Sequence, residues 1–420
     1  MSVKYVIQGG RPLNGNYPVQ GNKNAALPLI AAALLSDRPI RFSNVPRIND
    51  VNRLIELVGH LGVKIERAGA DLTLCRGNLE NADLAPELVR QLRGSILLLG
   101  ALAPVHDRLS TVLPGGCPIG QRSFESHWQV FESAGFEVKE SYKEVTLTRG
   151  RRVEEPKVCL EESSVTATEN ALLLYSALGG GTIDNPAREP HVLSLVDFLR
   201  QLGCEIELHP LRFIVHSGPQ SGNQALHFRV PADYIDAGTA AIAAAVTGGE
   251  LRLRGVAAED LLGFQQALER FGLSFEFDES GLTVGRTGDC GPNPGRITAG
   301  LWPSFPTDLT SILIVLATQG RGICLVHDWM YESRMFFVDK LARMGARVIL
   351  CDPHRVIVDG PSALRGIRLE SPDIRAGMAL LVAGLCASGV TTIEHAEVVE
   401  RGYENAVERF REVGAVIERS

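Results

Sequence analysis

An amphipathic segment that ends in a glycine and continues into a short strand-like segment recurs six times, roughly every 70 residues. LGVKIE (61–66) and MGARVI (344–349) are two of the copies. Glycine is the usual residue where a helix ends and the chain turns with positive φ. The six glycines are Gly62, Gly135, Gly203, Gly272, Gly345 and Gly414. A period this long indicates a repeated supersecondary block rather than a solenoid unit.

A second, more apolar helix precedes each of these segments. NAALPLIAAALL (24–35) and GMALLVAGLC (377–386) are examples, and both are apolar on nearly all faces. Such helices are expected to be buried, whereas the amphipathic helices expose one face. Each block therefore has the order strand, buried helix, strand, outer helix, strand, strand. Six βαβαββ blocks predict an α/β fold with two domains of three blocks each, in which the apolar helices lie at the centre.

The point where the chain passes between the two domains is also predicted from composition. The segment HSGPQSGNQ (216–224) follows the third block and is rich in Ser, Gly, Pro and Gln. Such composition is typical of connections between domains. We therefore expect the crossing at 216–224.

Composition and charge exclude several classes of protein. Hydrophobic residues make up 45% of the chain, charged residues 22%, and the formal net charge is -7. This balance is typical of globular proteins and disfavours broad binding to nucleic acid or anionic membranes. No signal peptide, apolar span or CxxC pair is visible among the 420 residues, so we expect a cytoplasmic protein without a disulfide framework or zinc site.

Cations stand at the start of three of the buried helices. Lys23, Arg93 and Arg375 occupy equivalent places in their blocks. A positive charge in the first turn opposes the helix dipole, by roughly 0.3–1 kcal/mol. Because helix N-termini bind anions, the three cations together predict an anionic ligand at these helix starts.

Several short segments, in this order and spacing, make the chain resemble the enolpyruvyl transferases from end to end. They are GNKNAALP (21–28), PGGCPIG (114–120), AREP (187–190), FPTD (305–308), RMGA (343–346), DIRAGMALLVAG (373–384) and ERGYE (400–404). The resemblance implies an inside-out α/β barrel with the active site in an interdomain cleft. It also implies that the N-terminal strand returns to the second domain, which gives domains at 22–231 and at 1–21 plus 232–420.

The resemblance further implies a reaction. Enolpyruvyl would pass from phosphoenolpyruvate to the 3-hydroxyl of UDP-N-acetylglucosamine, with release of phosphate, as the first committed step of peptidoglycan synthesis. Such an addition and elimination through a tetrahedral ketal needs a proton donor, a base and cations. We expect no cofactor and no metal, small-molecule substrates as the partners, no nucleic acid or membrane partner, and a monomer.

The residues alone leave Cys117 open between a reactive loop thiol and an ordinary loop cysteine. The resemblance implies that Cys117 delivers a proton and is the thiol that fosfomycin alkylates. It implies that Asp308 is the base, although the position of Asp308 is also typical of a residue that caps the following helix. Lys23 is implied in catalysis, and Lys23, Asn24, Arg122 and Arg401 are implied in binding phosphoenolpyruvate.

The resemblance also assigns residues to the acceptor and to domain closure. Those implied at the UDP-sugar are Arg93, Arg122, Ser123, Phe124, Glu125, Ser126, Ser164, Val165, Thr166, Asp308, Met330 and Arg334. Asp373 and Arg375 are implied in domain closure or phosphate handling. Glu189 matches an acid that is structural or related to the hinge rather than catalytic.

Two segments depart from the pattern of the family. After Arg122 the family reads Pro-Val-Asp-Leu-His, whereas residues 123–127 are Ser-Phe-Glu-Ser-His, and Thr166 stands where the family has glycine. Both departures fall on the acceptor side. The alternatives are therefore enolpyruvyl transfer to a different nucleotide or nucleoside, and a paralogue without catalytic activity.

Overall fold

The computed structural model describes residues 3–79, 81, 84–115, 123–278, 281–286 and 291–420. The chain divides into two compact units. The central unit contains the described residues between Gly21 and Pro231. The terminal unit contains residues 3–20 together with the described residues from Ala232 onwards.

Apart from the short additional helix α3, the α-helices of the described residues follow the predicted alternation of buried and outer helices. They are α1 (Lys23–Ala33), α2 (Asn49–His60), α3 (Pro86–Val89), α4 (Leu97–Leu102), α5 (Glu125–Ser133), α6 (Val165–Leu178), α7 (Pro190–Gln201), α8 (Tyr234–Thr247), α9 (Leu262–Glu269), α10 (Thr310–Gln319), α11 (Val338–Arg343), α12 (Ile374–Cys386) and α13 (Ala406–Glu412). Short 3-10 helices lie at Arg93–Ile96, Glu259–Leu261, Thr307–Leu309 and Ala396–Arg401.

The strands are short, as expected for sheets that surround helices. They are β1 (Tyr5–Gln8), β2 (Asn14–Pro18), β3 (Ile40–Ser43), β4 (Lys64–Ala68), β5 (Asp71–Cys75), β6 (Arg108–Val112), β7 (Phe136–Glu140), β8 (Glu144–Arg149), β9 (Lys157–Cys159), β10 (Gly181–Asp184), β11 (Ile206–His209), β12 (Arg212–Val215), β13 (Leu226–Arg229), β14 (Glu250–Arg254), β15 (Leu273–Asp278), β16 (Gly281–Arg286), β17 (Gly295–Ala299), β18 (Gly322–Asp328), β19 (Arg347–Asp352), β20 (Arg355–Gly360), β21 (Arg368–Glu370), β22 (Val390–Glu394) and β23 (Val416–Arg419).

The core of the central unit is built on helices α1, α4 and α6. Every residue of α1 from Ala25 to Ala33 is buried, and so is every residue of α6 from Ala167 to Ser176. Three sheets accompany these helices, with strand orders β13-β3-β5-β4, β6-β8-β7 and β11-β12-β10-β9. These helices are apolar on nearly all faces, which predicts that they are buried, and packing within one unit buries them.

The terminal unit repeats this arrangement with helices α8, α10 and α12. Residues Thr310 to Thr318 of α10 are all buried, and so are Ile374 to Leu385 of α12. Its sheets have the orders β15-β16-β14-β2, β17-β18-β20-β19 and β21-β22-β1-β23. The N-terminal strands β1 and β2 thus belong to sheets whose other strands come from the second half of the chain, and the predicted α/β class is confirmed.

The repeat glycines turn the chain as their position predicts. All six have positive φ, from 85° at Gly272 to 104° at Gly414. A side chain at such a φ is strained, which explains why glycine recurs at the end of each outer helix. One block differs from the predicted pattern, because the sheet β6-β8-β7 has three strands within the described ranges instead of four.

The prediction that the chain crosses between domains at 216–224 is wrong. That segment lies inside the central unit, where Gln220 N donates to Leu202 O (2.9 Å) and Arg38 Nη2 donates to Gln220 O (3.0 Å). The following strand β13 pairs in parallel with β3. The composition correctly indicates an exposed loop, but a strand after the loop still completes a sheet of the same unit.

Within the described residues, the chain passes between the units after Gln20 and after Pro231. Within the central unit, Asn22 N donates to Pro231 O at 2.8 Å. Within the terminal unit, Asp233 N donates to Gln20 O at 2.8 Å. In each unit, a backbone hydrogen bond therefore joins the two chain segments that connect to the other unit. Of the helices in the described parts of the chain, none is long and apolar enough to span a bilayer.

Candidate functional site

In the terminal unit, the carboxylate of Asp308 lies between two arginines. Its Oδ1 accepts from Arg334 Nη2 at 3.1 Å, and its Oδ2 accepts from Arg375 Nη2 at 2.7 Å. The arginine side chains are 2% and 7% exposed, and that of Asp308 is 28% exposed. Asp308 lies inside the 3-10 helix Thr307–Leu309, and the N-cap position of α10 is Leu309, so the interpretation of Asp308 as the cap of α10 is wrong. The carboxylate instead balances two buried positive charges.

A second carboxylate, that of Asp328, orders the neighbouring loop. Asp328 is fully buried and accepts hydrogen bonds from the Thr307 hydroxyl and, at 3.0 Å, from Met330 N. The Arg334 guanidinium stands over the ring of Tyr331, 5.0 Å from its centroid. The sequence-predicted residues Met330 and Arg334 are thereby brought into the same cluster as Asp308.

The two arginines keep unused donors. Arg334 Nε, Arg334 Nη1 and Arg375 Nη1 are buried and have no hydrogen-bond partner among the described residues. Arg334 Nε lies 4.0 Å from Asp328 Oδ2, and because buried polar groups are normally satisfied, these donors favour an additional acceptor in the cluster. Guanidinium groups favour carboxylate and phosphate as acceptors. This cluster is thus suited to an anionic ligand.

Arg375 is the second residue of α12 and lies in the capped first turn of this helix. Asp373 Oδ1 accepts from Arg375 N (2.8 Å) and from Ala376 N (3.0 Å), which caps the helix. The Arg375 guanidinium also stands 5.2 Å from the ring centroid of Tyr403. Burial opposes the charged form of Arg375, but Asp308 and Tyr403 outweigh it and hold the pKa of the guanidinium above its usual value.

Arg401 ends a 3-10 helix that is anchored by Gln20. The Gln20 amide donates to Gly402 O (2.9 Å) and to Asp233 Oδ2 (3.3 Å), and its oxygen accepts from Glu404 N (2.6 Å). A Cβ on Gly402 would lie 3.9 Å from Arg375 Nη1, so the Arg401 segment passes beside that arginine. The terminal unit therefore brings the backbone of Arg401 close to the Asp308 cluster.

In the central unit, Lys23 stands in the first turn of α1. Asn22 caps this helix, because its Oδ1 accepts from Asn24 N (2.8 Å) and Ala25 N (3.2 Å). Lys23 Nζ donates to Asp50 Oδ2 at 3.3 Å, and the two side chains are 14% and 6% exposed. The half-buried side chain of Asn24 stays outside the cap. Asp50 offsets the unfavourable charge of Lys23 at the helix start.

Arg93 and the residues that follow Arg122 form a second group in the central unit. The Arg93 guanidinium lies 4.2 Å from the ring centroid of Phe124, and its Nη2 donates to Ser123 O at 3.0 Å. Ser123 Oγ accepts from Glu125 N (2.9 Å) at the start of α5. Ser123 and Glu125 are exposed, Phe124 is half-buried, and Ser126 is buried.

A hydrogen bond joins the two segments that depart from the family pattern. His127 Nε2 lies 3.0 Å from Thr166 Oγ1, and His127 Nδ1 lies 2.8 Å from Asn170 Nδ2. His127 is 1% exposed, and burial, aided by the charge of Arg93, lowers its pKa to about 3. Ser164 caps α6 by accepting from Ala167 N at 3.4 Å. Residues 123–127 and 164–166 therefore form one cluster within this unit, with Val165 as the first residue of α6.

The central unit also contains two acids that interact, a buried Glu169 and a half-buried Glu189. Glu169 is 1% exposed, and burial, with the charge of Glu189, raises its pKa well above the usual value. Glu189 immediately precedes α7 and makes no capping hydrogen bond. Burial and the charge of Glu189 thus both favour the protonated form of Glu169.

Two predicted residues, Cys117 and Arg122, lie outside the described part of the chain. Conversely, sequence reasoning missed Asp50, Asp328, Asn170 and Tyr403. Asp50 reads as an ordinary acid in the first turn of a helix, and Asn170 lies inside an apolar helix without any periodic signal. Of these four, Tyr403 could have been found from the sequence, because it belongs to the segment ERGYE (400–404) on which the resemblance rests.

Solved structures with the same architecture define the class of fold. The enolpyruvyl transferase NikO from Streptomyces tendae matches with a TM-score of 0.89 at 24% identity, over 100% of this chain and 99% of that one. An EPSP synthase from Acinetobacter baumannii matches with a TM-score of 0.74 at 18% identity, over the whole of both chains. The fold is that of the enolpyruvyl transferases.

Sequence comparison gives the family. The model of EPSP synthase (3-phosphoshikimate 1-carboxyvinyltransferase) matches residues 7–410. Two relatives named UDP-N-acetylglucosamine 1-carboxyvinyltransferase are those of Bradyrhizobium diazoefficiens (42% identical, covering 99% of this chain and 98% of the relative) and Treponema denticola (39% identical, covering 99% of both). The chain belongs to the EPSP synthase family, and the resemblance to enolpyruvyl transferases is confirmed.

Proposed function

We propose that the chain transfers the enolpyruvyl group of phosphoenolpyruvate to the 3-hydroxyl of UDP-N-acetylglucosamine and releases phosphate. One observation carries the proposal: relatives that are 34–42% identical over almost the whole chain are named for this acceptor and this group. The proposal places the reaction at the first committed step of peptidoglycan synthesis, in the cytoplasm, in a monomeric enzyme.

The reaction balances as an addition followed by an elimination. The acceptor hydroxyl oxygen bonds to C2 of phosphoenolpyruvate while a proton is added at C3, which gives a tetrahedral ketal. The ketal then loses phosphate from C2 and a proton from C3, and the double bond is restored. The enzyme has to supply a base for the hydroxyl, an acid for C3 and positive charge for the phosphate and the carboxylate.

In this proposal Asp308 is the base for the acceptor hydroxyl. Arg334 donates to one carboxylate oxygen and Arg375 donates to the other. The two guanidinium bonds therefore fix the orientation of the carboxylate that would accept the hydroxyl proton. The unused donors of both arginines support a role in binding an anionic group beside Asp308.

The other residues that the resemblance implies have the following roles in this proposal. Lys23, Asn24, Arg122 and Arg401 bind phosphoenolpyruvate, and Cys117 protonates C3. The acceptor contacts Arg93, Ser123, Phe124, Glu125, Ser126, Ser164, Val165 and Thr166 in the central unit, together with Arg122, Asp308, Met330 and Arg334. Asp373 and Arg375 serve domain closure or phosphate handling, and Glu189 has a structural or hinge-related role rather than a catalytic one.

An acceptor screen tests the proposal. Purified protein is incubated with phosphoenolpyruvate and, separately, with UDP-N-acetylglucosamine, other nucleotide sugars, free nucleosides and shikimate 3-phosphate. Phosphate release is measured, and products are identified by mass. Release with UDP-N-acetylglucosamine and a product heavier by one enolpyruvyl group support the proposal. Release with a different nucleotide or nucleoside alone, or no release with any acceptor, overturns it.

Substitution of Cys117 tests the assignment of the acid. Cys117→Ser retains the size of the side chain but is a much weaker proton donor than a thiol. We expect turnover to fall about 100-fold or more, and labelling of the protein by fosfomycin, detected by intact mass, to disappear. Cys351→Ser, at an exposed cysteine on β19, is the matched control and should keep both properties. Unchanged turnover and labelling in Cys117→Ser would refute this role.

A further inference from the structure

The hydrogen bonds around Asn170 fix the orientation of its amide. Gly100 N donates to Asn170 Oδ1 at 3.2 Å, and Asn170 Nδ2 donates to Ile96 O at 3.1 Å. A backbone N–H can only donate and a carbonyl can only accept, so exchanging the amide oxygen and nitrogen would break both bonds. A Cβ on Gly100 would lie 2.6 Å from Asn170 Oδ1, which shows how closely α4 approaches this side chain.

The orientation of Asn170 in turn fixes the tautomer of His127. Asn170 Nδ2 lies 2.8 Å from His127 Nδ1, and an amide NH₂ group can only donate. Nδ1 is therefore the acceptor, and the single ring proton of the neutral imidazole is on Nε2. The imidazole stays neutral because it is buried and because Arg93 disfavours a second positive charge nearby; both effects lower its pKa.

The tautomer of His127 then decides how Thr166 uses its hydroxyl. Nε2–H donates to Thr166 Oγ1 across 3.0 Å, so the oxygen is an acceptor in this contact and its own proton is left over. Among the described residues, the contact with His127 is the one hydrogen bond made by the Thr166 hydroxyl. The side chain is half-buried and is the second residue of α6, so it reaches solvent at the helix start.

The surroundings of this hydroxyl favour an anionic oxygen as the ligand atom. The N-terminus of a helix carries a partial positive charge, and α6 begins one residue before Thr166. Arg93 adds a full positive charge close enough to His127 to affect its titration. A nucleotide diphosphate is the group of the proposed acceptor that has this chemistry.

We infer that Thr166 is a specificity-determining residue whose hydroxyl donates to a diphosphate oxygen of the acceptor, and that Asn170 and His127 are positioning residues that direct this donor. The inference rests on the proposed function, because the diphosphate belongs to the proposed acceptor. It gives a role to a residue that stands where the family pattern has glycine, and it joins both departures from that pattern in one hydrogen-bonded relay.

Two substitutions of Thr166 test the donor. Thr166→Val keeps the shape and removes the hydroxyl, and Thr166→Ser keeps the hydroxyl. We expect Thr166→Val to raise both the KM and the calorimetric Kd of UDP-N-acetylglucosamine about tenfold, with kcat and the KM of phosphoenolpyruvate within about twofold. Thr166→Ser should stay within about threefold of the parent. Equal nucleotide affinity in parent and Thr166→Val overturns the inference.

A double-mutant cycle tests whether His127 acts through Thr166. His127→Phe should raise the KM of UDP-N-acetylglucosamine several-fold in the parent and less than twofold in Thr166→Val. An equal effect in both backgrounds overturns the positioning role. Nitrogen-15 NMR of the parent gives a readout that requires no folded variant: one imidazole should remain neutral with its proton on Nε2 down to pH 5. The absence of such an imidazole among the 10 histidines overturns it as well.

The binding measurement separates failure of this inference from failure of the proposed function. If the parent binds UDP-N-acetylglucosamine without turnover and Thr166→Val weakens that binding, the inference stands and the proposed function fails. If the parent turns over this acceptor and Thr166→Val is indistinguishable from it, the inference alone fails. If the parent does not bind the nucleotide sugar at all, both fail.

Discussion

The two candidate clusters use opposite electrostatic designs. In the terminal unit, Asp308 is held by two almost fully buried arginines, and three of their nitrogens have no hydrogen-bond partner among the described residues. In the central unit, His127 and Asn170 are buried and neutral. The Asn170 amide forms hydrogen bonds with His127 and with the backbone of α4 and the residue before it, and these bonds are the inner part of the relay. A charged cluster binds strongly but depends on every charge in it, whereas a neutral relay mainly sets the direction of one proton.

This contrast has a physical consequence for the two units. Removing one charge from the arginine cluster leaves buried charge without compensation, which is costly for stability and for function alike. Removing the hydroxyl at the end of the neutral relay leaves the fold nearly unchanged and affects the ligand alone. The largest effects of substitution are therefore expected in the terminal unit, and the smallest at the edge of the relay.

Asp308→Asn should cause the largest loss. The substitution removes the charge between Arg334 and Arg375 and the proposed base at once. We expect kcat to fall about 100-fold or more, and the free energy of unfolding to fall by about 3 kcal/mol, as for other broken buried pairs. Phosphate release and denaturant unfolding measure the two effects.

The matched control for Asp308 is Asp359→Asn. Asp359 pairs with Arg347 at 2.9 Å in the same unit, but the two side chains are 50% and 56% exposed. Because exposed pairs contribute about 0–1 kcal/mol, the control should retain stability and activity. If both variants lose the same stability, the Asp308 cluster is no more than an ordinary surface pair.

Lys23→Met should have the next largest effect, and in the central unit. The substitution retains the apolar stem of the side chain and removes the charged amino group that donates to Asp50. We expect kcat/KM for phosphoenolpyruvate to fall about 10- to 100-fold, since charge-assisted hydrogen bonds contribute about 1.5–3 kcal/mol. Lys157→Met is the control, because Lys157 pairs with Asp184 at 3.4 Å with its side chain 58% exposed. Similar kinetics in the two variants would argue against a substrate contact at Lys23.

The pH dependence of stability should differ between the units in sign. Burial raises the pKa of Asp233 from 3.8 to about 6, so folding favours its protonated form. The stability from this group is present below its unfolded pKa and is lost as pH rises to about 6, a change of roughly 1–3 kcal/mol. For His127 the lowered pKa has the reverse consequence: stability falls as pH drops below 6.5.

Asp233→Asn isolates the first of these contributions. Asparagine also caps helices, so the cap that Asp233 Oδ1 provides at α8 is retained. Between pH 4 and pH 7 the parent should lose more stability than the variant, by roughly 1–3 kcal/mol. Unfolding in urea at several pH values measures the difference. Parallel stability curves for the two proteins would mean that Asp233 titrates normally in the fold.

Much of the fold follows from the sequence because the signals are local or periodic. The apolar faces of α1, α10 and α12 predict burial, and the repeat glycines predict the turns. The resemblance to the enolpyruvyl transferases also named Asp308, Arg334 and Arg375 as site residues. That part of the prediction needs no knowledge of which elements meet in space.

The partners within each cluster could not be predicted in this way. Asp50 and Asn170 act on Lys23 and His127 from other helices, and no periodicity links residues that meet only through tertiary packing. The same reason explains the wrong crossing at 216–224, since the pairing of β13 with β3 depends on a strand almost 190 residues earlier. The cap predicted for Asp308 failed because buried guanidinium groups compete with backbone N–H groups for the same oxygens.

Arg93→Lys should have the smallest measurable effect, because it retains the charge and changes only how that charge is presented. A guanidinium lies flat on the Phe124 ring and still donates to Ser123 O, whereas an ammonium cannot do both. We expect the KM of UDP-N-acetylglucosamine to rise about two- to fivefold, equivalent to about 0.5–1 kcal/mol. The KM of phosphoenolpyruvate should be unchanged.

Arg188→Lys is the control, since Arg188 stands 5.3 Å from the Phe213 ring centroid in the same unit. Phe124→Leu should reproduce the effect of Arg93→Lys. If Arg93→Lys leaves the KM of the nucleotide sugar unchanged, the stacked arginine orders the loop without orienting the acceptor, and the neutral relay beside it is the main source of specificity in this unit.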